Sequence, residues 1–224
     1  MLSLSSTRRQ GGFIQAAILF GIALLTAVIG GFALANRTPN TQTTLEEAKV
    51  NASVILKQGA DLREGTTRFL NDKGSLSNLT FNTAAGTGLF DPSAQYASVQ
   101  LGPAKAYVSG TTTNTSTFTP RAAGSYVYHD SVTLNGVGSA AADTVVLTGP
   151  LNTATCQRIN TMLYGTAIST APPTTTVPLA DFTNTATATA VDLSATTGIV
   201  GWSEGCVGTA TVGSNVYFKV VNEG

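Results

Sequence analysis

The stretch RRQGGFIQAAILFGIALLTAVIGGFALAN, Arg8–Asn36, decides how the rest of the chain is read. No charge occurs from Gly11 to Asn36, and Gln15 and Thr26 are the only clearly polar side chains of the run Phe13–Ala35. As a helix at ~1.5 Å per residue that run is about 34 Å long, enough for the ~30 Å hydrocarbon core of a bilayer. A core helix of this length normally keeps one polar face, whereas this one is apolar all round. Arg8 and Arg9 precede it, so the positive-inside rule puts the N-terminus in the cytoplasm and the remainder outside.

Three processing routes fit the run. It serves as a plain membrane anchor in the first. In the second it is a secretory signal cut after Ala33-Leu34-Ala35, releasing a chain that starts at Asn36; Arg8-Arg9 is then a hint of the twin-arginine route. The run is, however, much longer than the ~7–15 apolar residues of a usual signal core. In the third route the cut comes before the run, between Gly12 and Phe13.

That junction, Arg8-Arg9-Gln10-Gly11-Gly12-Phe13, resembles the leader junction of type IV prepilins. Those have a short basic leader, a Gly, then an aromatic or apolar residue opening a long hydrophobic helix. The resemblance implies a prepilin peptidase acting between Gly12 and Phe13 on the cytoplasmic face. Glycine offers no side chain to obstruct an extended substrate, and Phe13 begins a helix that stays in the membrane until assembly. The family usually has Glu as the fifth mature residue; this chain has Ala17 there, with neutral Gln15 nearby.

Beyond Thr38-Pro39-Asn40 the pattern turns amphipathic. Leu45, Ala48, Ala52, Ile55, Gly59, Leu62 and Phe69 follow 3-4 spacing, a narrow stripe of about seven helical turns. Lys57–Asp61, Glu64–Arg68 and Arg68–Asp72 stand at i, i+4 as candidate ion pairs. Thr43 or Thr44 is the expected cap, with Glu46 and Glu47 in the first turn and Gly74 as the stop. Directly after a hydrophobic helix, this stripe resembles the second half of the pilin spine, laid on a globular head. Pro39 marks the join, where a helix kinks or breaks.

From Ser75 onward Gly, Thr, Ser, Asn and Pro clusters separate short β-rich runs. Expected strands are Tyr96–Leu101, Ala104–Val108, Ser125–Leu134, Thr144–Leu147, Gly198–Trp202 and Val216–Val221, with Asn135-Gly136 as a hairpin turn. Cys156–Tyr164 reads as a short helix ended by Gly165. Thr166–Thr197 reads as surface loop with a short strand near Val177–Leu179, and Thr111–Thr113 and Thr174–Thr176 as polar tips. The expected fold is α+β: a long N-terminal helix, hydrophobic then amphipathic, packed on an antiparallel sheet with one disulfide. The segments are a leader 1–12, a membrane or filament-core helix 13–36, an amphipathic helix 37–74 and a head 75–224.

Composition narrows the chemistry. The 224 residues carry 12 basic and 12 acidic side chains, one His and two Cys, and only 11% are charged. A net charge of zero argues against a general nucleic-acid binder. Two cysteines cannot form a four-cysteine zinc site. Cys156 and Cys206 lie beyond the membrane run, so an exported chain pairs them; two buried thiols are the alternative. His129-Asp130-Ser131 contains triad residue types, but neighbours on a strand point to opposite faces, and His129 reads as a surface strand residue. Asp181, Asp192 and Glu204 match no calcium-loop spacing. Asn51, Asn78 and Asn114 stand in N-glycosylation patterns that occur often by chance. Tyr107, Tyr126, Tyr128, Tyr217 and Trp202 read as packing residues. No catalytic, cofactor-binding or metal-ligating residue is expected.

The resemblance implies a structural subunit, not an enzyme, that polymerises through Phe13–Ala35 into a surface filament. Close helix approach in the filament core would fall to Phe13, Ala17, Gly21, Ala23, Ala27, Gly30 and Gly31. Its partners would be copies of itself, the prepilin peptidase and the pilus assembly machinery. It would reside in the bacterial inner membrane as a precursor and on the cell surface as a filament. Two alternatives are a minor pilin or secretion pseudopilin, and a secreted or anchored Thr-rich binding domain.

Overall fold

The computed structural model describes residues 39–108, 126–165, 171–183 and 190–224, and Leu45–Gly224 is one compact unit within it. Helix α1 (Pro39–Lys73) carries the amphipathic stripe. Ala48, Ala52, Ile55, Leu62 and Phe69 are buried, whereas Leu45 is 58% exposed, so the buried stripe starts at Ala48. Burial of each large member contributes roughly 1.5–3 kcal/mol. Gly59 permits the closest approach: a Cβ there would lie 1.9 Å from the Tyr217 hydroxyl. Gly74 ends the helix at φ +71°, its N–H donating to Leu70 O at 2.7 Å.

Helix α1 runs through Thr43 and Thr44, so neither caps it, and Glu46 and Glu47 are not in its first turn. Glu47 instead pairs with Lys105 at 2.7 Å. Lys57–Asp61 (2.8 Å) and Arg68–Glu64 form as expected. Arg68–Asp72 does not; Asp72 takes Lys73 at 3.0 Å and the Tyr96 hydroxyl.

Five strands form one sheet: β1 (Val127–Thr133), β2 (Asp143–Leu151), β3 (Val191–Asp192), β4 (Glu204–Gly208) and β5 (Asn215–Asn222). Their order is β3-β1-β2-β5-β4. The expected antiparallel pattern holds for β1–β2, β2–β5 and β4–β5, but β3 joins β1 in parallel. Side chains alternate between two cores. Val146, Tyr217 and Cys206 meet α1 on one face; Val145, Leu147, Val207 and Phe218 meet Leu179, Phe182, Leu193 and Ile199 on the other. Strand β2 is central and buried at every position, which a sheet reaches only when both faces are covered.

Helix α2 (Thr153–Tyr164) starts three residues before the expected Cys156, because Asn152 caps it; its Oδ1 accepts the Thr155 N–H at 2.8 Å. Gly165 follows at φ +85°.

Several expected strands are absent. Tyr96–Leu101 is irregular: Gln95 sits at φ +54°, and Tyr96 packs edge-on to Phe69 at 5.2 Å. Its aromatic character serves α1, not a ladder. Ala104–Ala106 is a 3-10 turn, and Tyr107 makes only a single bridge to Leu151. Gly198 (φ +91°) and Gly201 (φ +77°) break the expected Gly198–Trp202 strand, and extended pairing begins at Glu204. The Asn135-Gly136 turn lies in a longer connection between β1 and β2, not a two-residue hairpin. Pairing near the Val177–Leu179 segment falls at Thr174, bridged to Gly208. Thr175 is therefore no exposed tip: it is 5% exposed and its N–H donates to Gly208 O at 2.9 Å.

Candidate functional site

Cys156 and Cys206 are joined, so the two-thiol alternative falls away. The bond ties α2 to the edge strand β4. One turn beyond Cys156, Asn160 is fully buried and turns its carboxamide onto the Cys206 peptide. The Tyr164 hydroxyl donates to Glu204 O at 2.5 Å. At the far end, Gly208 donates to Pro173 O at 2.8 Å. Side chains and one irregular segment thus occupy the backbone groups that an edge strand would otherwise offer to another chain.

Glu204 anchors a polar cluster on the α1-facing side. Its Oε1 accepts the Tyr217 hydroxyl at 2.6 Å and its Oε2 accepts Lys219 Nζ at 2.5 Å. The pair is largely buried, with the Lys219 and Glu204 side chains 11% and 15% exposed. Burial first, then the Glu204 charge, pushes the Tyr217 hydroxyl well above its ordinary value. The same two causes push Tyr164 up to about 12. Tyr164 stacks on Trp202 with ring centroids 4.0 Å apart. Buried Tyr107 bonds Thr148 Oγ1 at 2.9 Å, and Tyr126 donates to Gln58 Oε1 at 2.9 Å. Tyr126 and Tyr217 thus hold α1 to the sheet, while Tyr164 and Trp202 pack α2 against the β4 end. A neutral tyrosine with a raised pKa and an ion-paired lysine supply neither base nor nucleophile.

The triad types do not assemble. His129 Nδ1 accepts the Ser131 N–H at 3.1 Å, while Ser131 Oγ donates to Asp130 Oδ1 at 3.3 Å. The serine hydroxyl therefore faces the wrong partner for proton transfer. His129 is also not the expected surface residue: it is 1% exposed, because the face it points to is covered. Among the described residues no group of three or more His, Cys, Asp or Glu side chains is placed to hold a metal ion.

A cleft of about 610 Å³ opens between Arg68 on α1 and the loop carrying Phe90, Asp91, Gln95 and Tyr96. Asp91 belongs to the loop's own framework. It accepts the Ser93 hydroxyl (2.6 Å), the Gly86 N–H (2.8 Å) and the Ser93 N–H (2.8 Å). Those bonds, the Ser93 hydroxyl foremost, draw its pKa down to about 2. Of the sequon asparagines, Asn51 is 6% exposed within α1, Asn78 is exposed, and Asn114 lies outside the described residues.

The processing pair Gly12 and Phe13, and the packing residues Ala17, Gly21, Ala23, Ala27, Gly30 and Gly31, also lie outside the described residues. Among the described residues no helix is long and apolar enough to cross a membrane. The residues that reading by pattern missed are Asn160, Glu204 and Lys219. Only Asn160 left a signal, at i+4 from Cys156 on one helix face. Comparison with known proteins finds no matching family model, curated protein or solved structure.

Proposed function

We propose that this chain is a type IV pilin-like subunit that polymerises into an extracellular filament and catalyses no reaction. One observation carries the reading: the basic leader and Gly12-Phe13 junction open an uncharged run long enough to cross a bilayer. The fold supports it further along, where α1 buries its stripe on a mainly antiparallel sheet whose edge strand Cys156–Cys206 ties to α2. The membrane holds the subunit until assembly. Helix burial among neighbouring copies then replaces lipid contact, which removes the hydrophobic cost of leaving the bilayer. The test is the mature N-terminus and form of the protein sheared from cell surfaces. The reading expects filaments whose subunits begin at Phe13. Soluble chains beginning at Asn36 would overturn it in favour of a secreted Thr-rich domain.

Ala17, standing where the family usually has Glu, favours a second reading: a minor pilin or pseudopilin that primes or caps a filament built by another subunit. Subunit stoichiometry in the sheared filaments separates the two readings.

A further inference from the structure

His129 is the only histidine of the chain, and it is buried in β1 under an irregular cover. Its Nδ1 accepts the Ser131 N–H, so that nitrogen carries no proton and the ring is the neutral Nε2–H tautomer. Among the described residues Nε2 makes no hydrogen bond of good geometry, and the Asp181 backbone is the polar group that approaches the ring. An imidazolium needs an acceptor at each nitrogen. Here a second proton would meet the Ser131 N–H donor at Nδ1, while the other side offers only a loosely placed Asp181 backbone.

The cover is the segment carrying Leu179 and Phe182. Both are buried with Val127 and Val132 of β1, and the backbone of Asp181 lies beside the imidazole. The charged groups near the ring are Asp130 on its own strand and Asp181 on the cover. Val145, its register partner on β2, carries no charge. Burial is the largest effect and keeps the folded pKa below the ordinary 6.5, against the Asp130 charge, the hydrogen bond to the Asp181 backbone and the Asp181 charge, which all favour the imidazolium.

We propose that His129 is an acid-released latch: protonation expels its ring from beneath the Leu179–Phe182 cover and exposes the apolar face of the sheet. The direction follows from proton counting. Between the folded pKa and about 6.5 the open form binds more protons than the closed form. Closure is therefore unaffected above about pH 6.5, weakens as pH falls through that value, and levels off once the closed form itself takes the proton.

The test uses the purified full chain in detergent, where the single histidine gives one nitrogen NMR titration. The expected result is an Nε2–H tautomer titrating below 6.5. Amide exchange at Leu179–Phe182, corrected for intrinsic rate, should rise on going from about pH 7.5 to pH 5. The rise should be about tenfold for each unit by which the folded pKa lies below the open one, to a ceiling of about thirtyfold at pH 5. His129→Gln keeps an acceptor for the Ser131 N–H and should abolish the response. If that variant does not fold, the wild-type titration and exchange decide alone. A titration at or above 6.5, or exchange that does not change with pH, would overturn the proposal.

Discussion

The Asn160 carboxamide spans the peptide of Cys206, Nδ2 donating to its carbonyl and Oδ1 accepting its N–H, both at 2.8 Å. One side chain thus reproduces the two bonds that a neighbouring strand would make to β4. Asn160→Ala leaves two buried backbone groups unpaired, each costing about 1–3 kcal/mol. Denaturant unfolding of the purified chain should show a loss of that order. A shift near zero would mean that water reaches this edge of the sheet.

The covalent bond beside it makes a separate contribution. Cys206→Ser opens a loop whose ends are 50 positions apart and should cost about 2–5 kcal/mol. Non-reducing peptide mapping of the wild type should show one linked species. Stoichiometric thiol labelling of the unreduced protein would contradict the pairing.

Gly59 and Tyr217 set the spacing of helix and sheet. Gly59→Ala drives a methyl group into the Tyr217 ring and should cost about 1–3 kcal/mol through overpacking. Tyr217→Phe removes the oxygen closest to that methyl, at the expense of the bond to Glu204. The double variant should therefore lose less than the sum of the single losses, as expected for residues in contact. Strict additivity in denaturant midpoints would show that α1 can lift away freely.

Much of the fold was legible where one periodicity ruled. The 3-4 stripe of α1 placed Ala52, Ile55, Leu62 and Phe69 in the core, and Val216–Val221 falls within β5. Reading failed where tertiary context overrode pattern. Alternation along β1 presumes a solvated face, yet the segment with Leu179 and Phe182 covers it, and that segment has no period to read. This is why His129 passed for a surface residue and Thr175 for a loop tip. Asn160 finds its partner 46 positions away, on a backbone group that no local spacing encodes. Glycines at positive φ displaced the strand expected at Gly198–Trp202.

Acid should also loosen the loop that Asp91 organises. Its depressed pKa means that the carboxylate's contribution is fully present above the ordinary 3.8 and is lost as pH falls toward about 2. Asp91→Ala should remove that contribution at every pH, exposing the Gly86–Ser93 turn to proteolysis at neutral pH. An equally resistant loop in the variant would show that the backbone holds it without the carboxylate.

Polymerisation is tested in the segment Phe13–Ala35. If small residues there pack helix against helix, an unpaired charge has no acceptable place, since burying one costs several kcal/mol. Gly21→Arg or Ala23→Asp should abolish filaments. Such charges also oppose insertion, by ~2.5–3.5 kcal/mol at mid-membrane, so membrane levels must be measured alongside. Ala27→Leu separates the two effects, because it keeps the helix insertable while adding bulk at a close approach. The control belongs on an exposed head position, and Thr176→Asp suits it better than the buried Thr175. Filament loss in Ala27→Leu with normal membrane levels, and none in Thr176→Asp, is the expected result. Normal filaments from all of these variants would reduce Phe13–Ala35 to an anchor or a signal.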